Sequence, residues 1–245
     1  SLNFCIAADG TEGVELWGTC YSIENTTSLN LEDTGLTGEI PPEISNLTNL
    51  TSLFLNVNNL TGSIPPEIGN LSNLDHLTLR ENQLTGEIPP EIGNLTNLTN
   101  LDLGNNEFIG SIPVEIGNLT NLTSLNLWNN QLTGQVPESI CDIFPNLNTI
   151  HIHTNQLCPP YPSCIEDYVG NQDTTNCNQV SIYDETLPIT YNLYNAYPNP
   201  FNSVTSLRYD LPEDGLVNVT IYNMMGRVVK TLVNSSQTAG YKSIR

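Results

Sequence analysis

The first 180 residues of this 245-residue chain contain almost no basic side chains. Arg80 is the only lysine or arginine among them, against 21 aspartates and glutamates, whereas residues 181–245 hold five acidic and five basic residues. The net charge of −20 therefore comes entirely from the first part. Because phosphate binding needs lysine and arginine, this composition argues against nucleic acid and anionic membrane surfaces as partners. The change in charge near residue 180 indicates a domain boundary.

Long apolar runs and a leader sequence are also missing. No stretch approaches the roughly 20 apolar residues that a transmembrane helix requires, so no membrane span is predicted. The chain opens Ser-Leu-Asn-Phe-Cys, without the basic and apolar regions of a signal peptide. We expect a mature protein whose signal has been removed, located outside the cell or on its outer surface.

Cysteines are absent from the middle of the chain and cluster near both ends of it. They are Cys5, Cys20, Cys141, Cys158, Cys164 and Cys177. Their spacing lacks the short pairs of a zinc site, and no histidine stands at ligand spacing among the last three, so no metal is predicted. We predict disulfides formed in an oxidising, extracellular compartment. Proximity pairs Cys5 with Cys20, whereas the other four allow three connectivities, with Cys141–Cys158 and Cys164–Cys177 as the first choice.

Between the two cysteine groups one sentence-like pattern repeats. It reads L-T-G-x-I-P-x-E-I-x-N-L-x-N-L-x-x-L-x-L-x-x-N-x, begins at Leu36 and restarts at Leu60, Leu84, Phe108 and Leu132. A fixed period of about 24 residues with leucines at fixed offsets is typical of a solenoid, in which stacked repeats share one core. The alternating L-x-L steps predict a parallel β-sheet on the concave side. Glycines and prolines predict an irregular convex side with short 3-10 helices.

The Leu-Thr-Gly-x-Ile-Pro segment makes this pattern similar to the plant-type leucine-rich repeat, over roughly Leu29 to Leu157. Plant proteins with this repeat include receptor ectodomains and inhibitors of enzymes that degrade cell-wall polysaccharides. The resemblance therefore implies a leucine-rich repeat solenoid, closed here by disulfide caps, that recognises a protein or a glycan.

An asparagine follows each L-x-L step by three residues. These asparagines are Asn58, Asn82, Asn106, Asn130 and Asn155. A side-chain amide has two donor hydrogens and an acceptor oxygen, so we expect a ladder that bonds the backbone where each strand turns away. Thr34 replaces asparagine in the first unit, as expected for an atypical terminal repeat.

The outward positions of the predicted strands form the candidate ligand site. All three histidines, the only basic residue before residue 208 and one of the two tryptophans fall there. Arginine and aromatic residues are enriched at binding hot spots. The candidate ligand-binding residues are Phe54, His76, Thr78, Arg80, Asp102, Asn126, Trp128, His151 and His153. Incidental variation of a solvated surface is the alternative interpretation.

Neither a cofactor nor catalysis is predicted at this face. His76 lies three strands from His151, about 14 Å at the usual strand spacing, which is too far for one metal ion to bind both. The repeated glutamates are Glu43, Glu67, Glu91, Glu115 and Glu138. They recur with the period, away from the variable positions, and so are better interpreted as scaffold than as a catalytic carboxylate pair.

The last fifty residues carry a second set of motifs. They are Y-P-N-P-F-N at residues 197–202, L-P-E-x-G at 211–215 and I-Y-N-x-x-G-R-x-V-x-x-L at 221–232. Alternating segments around them predict a small antiparallel β-sandwich. In order and spacing the motifs resemble the C-terminal sorting domain of the type IX secretion system of Bacteroidota and related bacteria. The resemblance implies a bacterial protein exported by that machinery and then attached to the surface or released.

Sorting domains of this kind usually continue beyond the position of Arg245 to a final strand. The predicted sandwich is therefore incomplete, either because the sequence is a fragment or because another chain completes it. An open sheet edge favours pairing with a second chain, so self-association is a possible partnership.

The predicted organisation follows from these boundaries. It comprises an N-terminal cap (1–28), the solenoid (29–157), a cysteine cap (158–180), a linker (181–192) and the incomplete sandwich (193–245). The leading functional hypothesis is a secreted or surface-bound recognition or adhesion protein that binds a protein or a surface glycan. The alternative is a structural subunit of an extracellular fibre or layer.

Overall fold

The computed structural model describes residues 4–177, 192–193, 207–222, 227–237 and 240–244. The chain divides into two compact units, Ser1–Asn178 and Gln179–Arg245. The motif at 197–202 and nearly all of the predicted linker lie outside the described residues.

The N-terminal residues form an antiparallel three-stranded sheet. Its strands are β1 (Phe4–Ile6), β2 (Glu12–Leu16) and β3 (Thr19–Ser22), in that order. Cys5 on β1 is disulfide-bonded to Cys20 on β3, as predicted. Val14 and Leu16 of β2 are buried in the same apolar core as the repeats. The small sheet therefore covers the N-terminal end of the solenoid core.

The repeats contribute one short strand each to a parallel six-stranded sheet, with lesser strands beside it. In chain order the solenoid strands are β4 (Ser28–Asn30), β5 (Thr37–Gly38), β6 (Ser52–Phe54), β7 (Asn59–Leu60), β8 (His76–Thr78), β9 (Asn100–Asp102), β10 (Ser124–Asn126), β11 (Thr133–Gln135), β12 (Thr149–His151) and β13 (Gln156–Cys158). The main sheet has the order β12-β10-β9-β8-β6-β4, so strands of successive repeats are neighbours. The predicted solenoid with a parallel concave sheet is confirmed.

The convex side carries short 3-10 helices. Four equivalent ones span Pro42–Asn46, Pro66–Asn70, Pro90–Asn94 and Val114–Asn118. Each follows a proline in extended conformation, such as Pro41 at φ −69° and ψ 134°. The last repeat instead has a helix α1 (Ile140–Ile143) followed by a 3-10 helix at Phe144–Asn146, which takes up its extra residue.

Leucine and isoleucine side chains from all repeats fill the space between the sheet and the helices. In the first full repeat Ile44, Leu47, Leu50 and Leu53 have no exposed surface. Equivalent residues recur at each turn, so one continuous core extends from the N-terminal sheet to residue 169. Since each repeat buries these side chains against its neighbours, stacking holds the fold together.

The cysteine cap at the far end differs from the first-choice prediction. The structure pairs Cys141 with Cys164 and Cys158 with Cys177, so the proposed Cys141–Cys158 and Cys164–Cys177 connectivity was wrong. Cys141 lies in α1, whereas Cys158 ends β13. After Cys158 the chain covers the end of the core, where Ile165 is fully buried, and this path brings Cys164 to the helix. A 3-10 helix at Glu166–Tyr168 completes the cap.

The second unit contains two antiparallel sheets. One has β14 (Asn192–Leu193), β15 (Leu207–Leu211) and β18 (Gly240–Ile244) in the order β14-β15-β18. The other pairs β16 (Gly215–Tyr222) with β17 (Val228–Gln237). Antiparallel strands are confirmed here, and their packing as a sandwich stays a prediction. In the described part of the chain, no helix combines the length and apolarity needed to span a membrane.

Candidate ligand-binding face

The register of the parallel sheet aligns its outward residues into columns. Strands β6, β8, β9, β10 and β12 pair without offset. The first column is Ser52, His76, Asn100, Ser124 and Thr149, and the middle column is Phe54, Thr78, Asp102, Asn126 and His151. The third column, just beyond the strands, is Asn56, Arg80, Gly104, Trp128 and His153. We call these 15 residues the concave face, and all nine candidate residues belong to it.

Trp128 lies against the backbone of the preceding repeat. A Cβ atom at Gly104 would be 2.7 Å from Cδ1 and 3.0 Å from Cε2 of the indole, distances at which side-chain atoms clash. Glycine at position 104 therefore makes room for the pyrrole edge of the tryptophan. The indole remains partly exposed above it.

Two histidines of the last strand region extend the aromatic surface that Trp128 begins. The rings of Trp128 and His153 are 6.0 Å apart between centroids and inclined by 27°. His151 meets His153 edge-on, also at 6.0 Å. Behind His153 lies Gly170 of the cysteine cap, where an added Cβ would be 2.7 Å from the histidine Cβ. The cap thus closes this end of the face.

A polar chain crosses three strands beside these aromatic rings. Nδ1 of His151 is 2.8 Å from Oδ1 of Asn126, and since this oxygen can only accept, the imidazole donates. The amide group of Asn126 in turn donates to the carboxylate of Asp102. Asp102 also accepts a hydrogen bond from the Gly104 N–H at 3.1 Å. The orientation of the Asn126 amide is therefore fixed from both sides.

Burial raises the pKa of Asp102 above its ordinary value. The hydrogen bond from Gly104 and the positive charge of Arg80 act in the opposite direction but do not cancel the desolvation. Arg80 also lies near Glu81, with Nε 3.3 Å from Oε1. That contact is an ion pair without hydrogen-bond geometry, because the buried Nε has no hydrogen-bond partner.

A second, smaller aromatic contact lies at the N-terminal part of the face. The rings of Phe54 and His76 are 6.4 Å apart between centroids. Nδ1 of His76 is 2.8 Å from a carboxylate oxygen of Asp75, which orients the imidazole. Three strands therefore separate two aromatic groups, one around Phe54 and one around Trp128.

The asparagine ladder lies at the edge of the concave face. In each of its five asparagines, Nδ2 donates to backbone carbonyls of its own repeat and of the preceding one. Oδ1 accepts a backbone N–H, for example that of Leu84 at 3.1 Å from Asn106. At the first position the Thr34 hydroxyl donates only to Leu31, at 2.8 Å. The ladder holds the third column in register.

A second asparagine column was missed by the sequence reasoning. Its members are Asn49, Asn73, Asn97, Asn121 and Asn146, and each Nδ2 donates to a carbonyl of the preceding repeat at 2.8–2.9 Å. The signal was visible as the second asparagine of the repeated N-L-x-N-L segment.

The turn after the third column was also not predicted. Seven non-glycine residues have positive φ, and six of them follow that column: Asp33, Val57, Glu81, Asn105, Asn129 and Thr154. Asparagine and aspartate tolerate this conformation, whereas a β-branched residue such as Val57, at φ 58°, is strained in it.

No group of three or more His, Cys, Asp or Glu side chains is placed to hold a metal ion within the described residues. The face instead offers aromatic surface, amides and hydroxyls on a rigid sheet. Such an arrangement is suited to binding.

Comparison with known families agrees with this architecture. A family model described as a leucine-rich repeat region matches residues 27–156, just over half of the chain. The chain belongs to the leucine-rich repeat proteins. A second model, described as a secretion system C-terminal sorting domain, matches residues 195–244, which confirms the type IX sorting domain. The sorting domain directs this leucine-rich repeat protein to the cell surface or the extracellular space.

Solved structures similar to the chain include plant receptor ectodomains. The GASSHO1/SCHENGEN3 ectodomain from Arabidopsis thaliana, in complex with CASPARIAN STRIP INTEGRITY FACTOR 2, is 41% identical, with a TM-score of 0.52, over 54% of this chain and 16% of the receptor chain. The Arabidopsis HAESA ectodomain, in complex with an IDA peptide hormone, is 37% identical, with a TM-score of 0.54, over 59% and 24%. PEPR1 in the PEPR1–AtPEP1 structure is 30% identical, with a TM-score of 0.55, over 60% and 24%.

This leucine-rich repeat protein thus spans at most about a quarter of those three receptor chains. A search of curated protein sequences gave no significant match.

Proposed function

We propose that this leucine-rich repeat protein is a secreted, non-catalytic recognition or adhesion protein that binds a protein or glycan through its concave face. The observation that carries the proposal is the gathering of Trp128, His151 and His153 with Asp102 and Arg80 on one rigid sheet. Aromatic residues and arginine dominate binding hot spots. The similarity to plant ectodomains with bound peptide ligands supports a ligand-binding role for the repeats.

The sorting domain adds a second partner. We infer that residues 195–244 engage a type IX secretion machinery in a bacterial host and are then retained at the surface or removed. Mass measurement of the protein recovered from its native surface tests this inference, because a cleaved product would lack most of the second unit.

Binding through the concave face is tested with two matched double variants of the full chain. Arg80→Ala with Trp128→Ala changes the face, whereas Glu67→Ala with Glu115→Ala changes the convex 3-10 helices. Both variants and the wild type are labelled and applied to native cell-surface and matrix preparations. We expect the concave variant to lose about tenfold or more in binding, and the convex variant to bind like the wild type.

Equal binding by both variants would contradict the proposal. Light scattering over a range of protein concentrations tests the self-association alternative in the same samples. Polymers that form in wild type and concave variant alike would favour a structural role instead.

A further inference from the structure

The concave face is electrically balanced although the protein is strongly acidic. Of its 15 residues only Asp102 and Arg80 carry a formal charge, and Arg80 acts on Asp102 electrostatically. The remaining 20 acidic residues of the first 180 lie elsewhere. Charge complementarity governs which partners a surface selects. A highly charged ligand would find no matching set of charges here, so the face favours a neutral one.

Its hydrogen-bonding groups restrict the ligand further. The polar residues are serine, threonine, asparagine and histidine, whose side chains both donate and accept hydrogen bonds. The chain from His151 through Asn126 to Asp102 holds a donor ring, an amide and a carboxylate in fixed orientations. Hydroxyl groups complement such a set because each can donate to one partner and accept from another.

The two aromatic groups supply the apolar part of the interface. Trp128 is held flat against Gly104 and beside His153, so little conformational freedom is left to lose on binding. Phe54 with His76 lies three strands away, about 14 Å at the usual strand spacing. A ligand that touches both groups must be longer than one ring and must alternate apolar faces with hydroxyl edges.

We propose that the concave face binds a neutral oligosaccharide, with one sugar ring on Trp128 and hydroxyl groups at Asp102, Asn126 and His151. This inference rests on the proposed function and names the ligand class. A peptide, the class bound by the similar plant receptors, is the competing occupant.

The test uses the full chain with Trp17→Phe, which leaves Trp128 as the only tryptophan. An array of neutral oligosaccharides is screened first, and the best binder is then titrated while Trp128 fluorescence is recorded. We expect a fluorescence change on binding. The dissociation constant should change less than about twofold between about 0.1 M and 1 M salt, because no ion pairs are broken.

Matched variants locate the binding site. Trp128→Ala and Asn126→Ala should each weaken binding about tenfold. Trp128→Phe, which retains a ring, should weaken it less than Trp128→Ala, and Thr61→Ala, on a lateral strand connection, should leave it within about twofold. Circular dichroism confirms that each variant folds.

The inference is overturned if no neutral oligosaccharide on the array binds, or if binding is unaffected by Trp128→Ala and Asn126→Ala. Capture of a peptide or protein whose binding Trp128→Ala abolishes would refute the glycan while leaving the proposed function intact. A ligand of either class that binds wild type and all concave variants equally would refute both.

Discussion

The indole of Trp128 occupies the space that a side chain at residue 104 would fill. We predict that Gly104→Ala displaces the indole, because the new Cβ would lie 2.7 Å from its Cδ1 atom. Trp128 is partly exposed and can move, so the cost in unfolding free energy should be only about 1 kcal/mol. In a Trp17→Phe background, the emission maximum of Trp128 should shift. The cost of Gly104→Ala should vanish when residue 128 is already alanine, and equal costs in both backgrounds would disprove the contact.

The asparagine ladder should be a major source of stability. Asn106→Ala would leave the carbonyls of Leu79 and Leu103 and the N–H of Leu84 without their amide partner. The expected loss is about 3 kcal/mol of unfolding free energy, measured by urea denaturation. Thr34→Ala, at the exposed first position, should cost less than about 1 kcal/mol. Similar losses at both positions would show that the ladder geometry is not what matters.

Val57 should be a site at which the natural residue is not the most stable one. Its φ of 58° suits asparagine, which stands at the equivalent positions 105 and 129. Val57→Asn should therefore raise the unfolding free energy by about 1 kcal/mol. Val57→Ile keeps the branched Cβ and serves as the control without gain. A loss of stability in the asparagine variant would mean that the side-chain contacts of Val57 outweigh the backbone strain.

The raised pKa of Asp102 has a defined consequence for stability. Its unfolded form loses a proton at lower pH than its folded form, so this group destabilises the fold as pH rises through the ordinary carboxyl pKa to the raised one. Asp102→Asn should therefore be more stable than wild type at neutral pH, and the difference should shrink in acid.

Asp173 provides the comparison of opposite sign. Hydrogen bonds from the Thr175 side chain and backbone lower its pKa, so its contribution is stabilising above the ordinary carboxyl pKa and is lost as pH falls through the lowered one. Asp173→Asn should be less stable than wild type at neutral pH. Urea denaturation of both variants across acid and neutral pH checks the signs, and parallel curves would contradict both assignments.

The disulfide pairing can be read directly by non-reducing peptide mapping. Cleavage before Asp142 and after Tyr161 and Tyr168 places the four C-terminal cysteines on separate peptides. We expect the peptide with Cys164 to be linked to that with Cys141, and the peptide with Cys177 to that with Cys158. Removing the second bond, whose cysteines are 19 residues apart, should cost about 3 kcal/mol. Any other linkage would reject this path of the cap.

The parts of the fold that repeat could be predicted from the sequence, because each pattern position has one structural role in every turn. Columns of the concave face and the asparagine ladder follow from a single offset counted along the chain. The connectivity of the cysteine cap could not be predicted, because it depends on a path across the core end that occurs once.

The contacts within the candidate site were likewise beyond the pattern. Position 104 is one of the variable outward positions, and nothing in the period indicates that glycine there accommodates a tryptophan one repeat later. The closure of the face by Gly170 depends on the cap. Both features arise where one repeat differs from the next, which is also where binding specificity is built.

The second asparagine column has a consequence for how this protein can change. Each member of the Asn49–Asn146 series bonds a carbonyl exactly one coil back, so a duplicated coil would bring its own donor and supply the next acceptor. Duplication of an internal unit such as residues 84–107 would lengthen the sheet by about 4.8 Å and add one position to every column. The scaffold can therefore be extended in whole steps, and the reach of the binding face becomes an inherited count of coils.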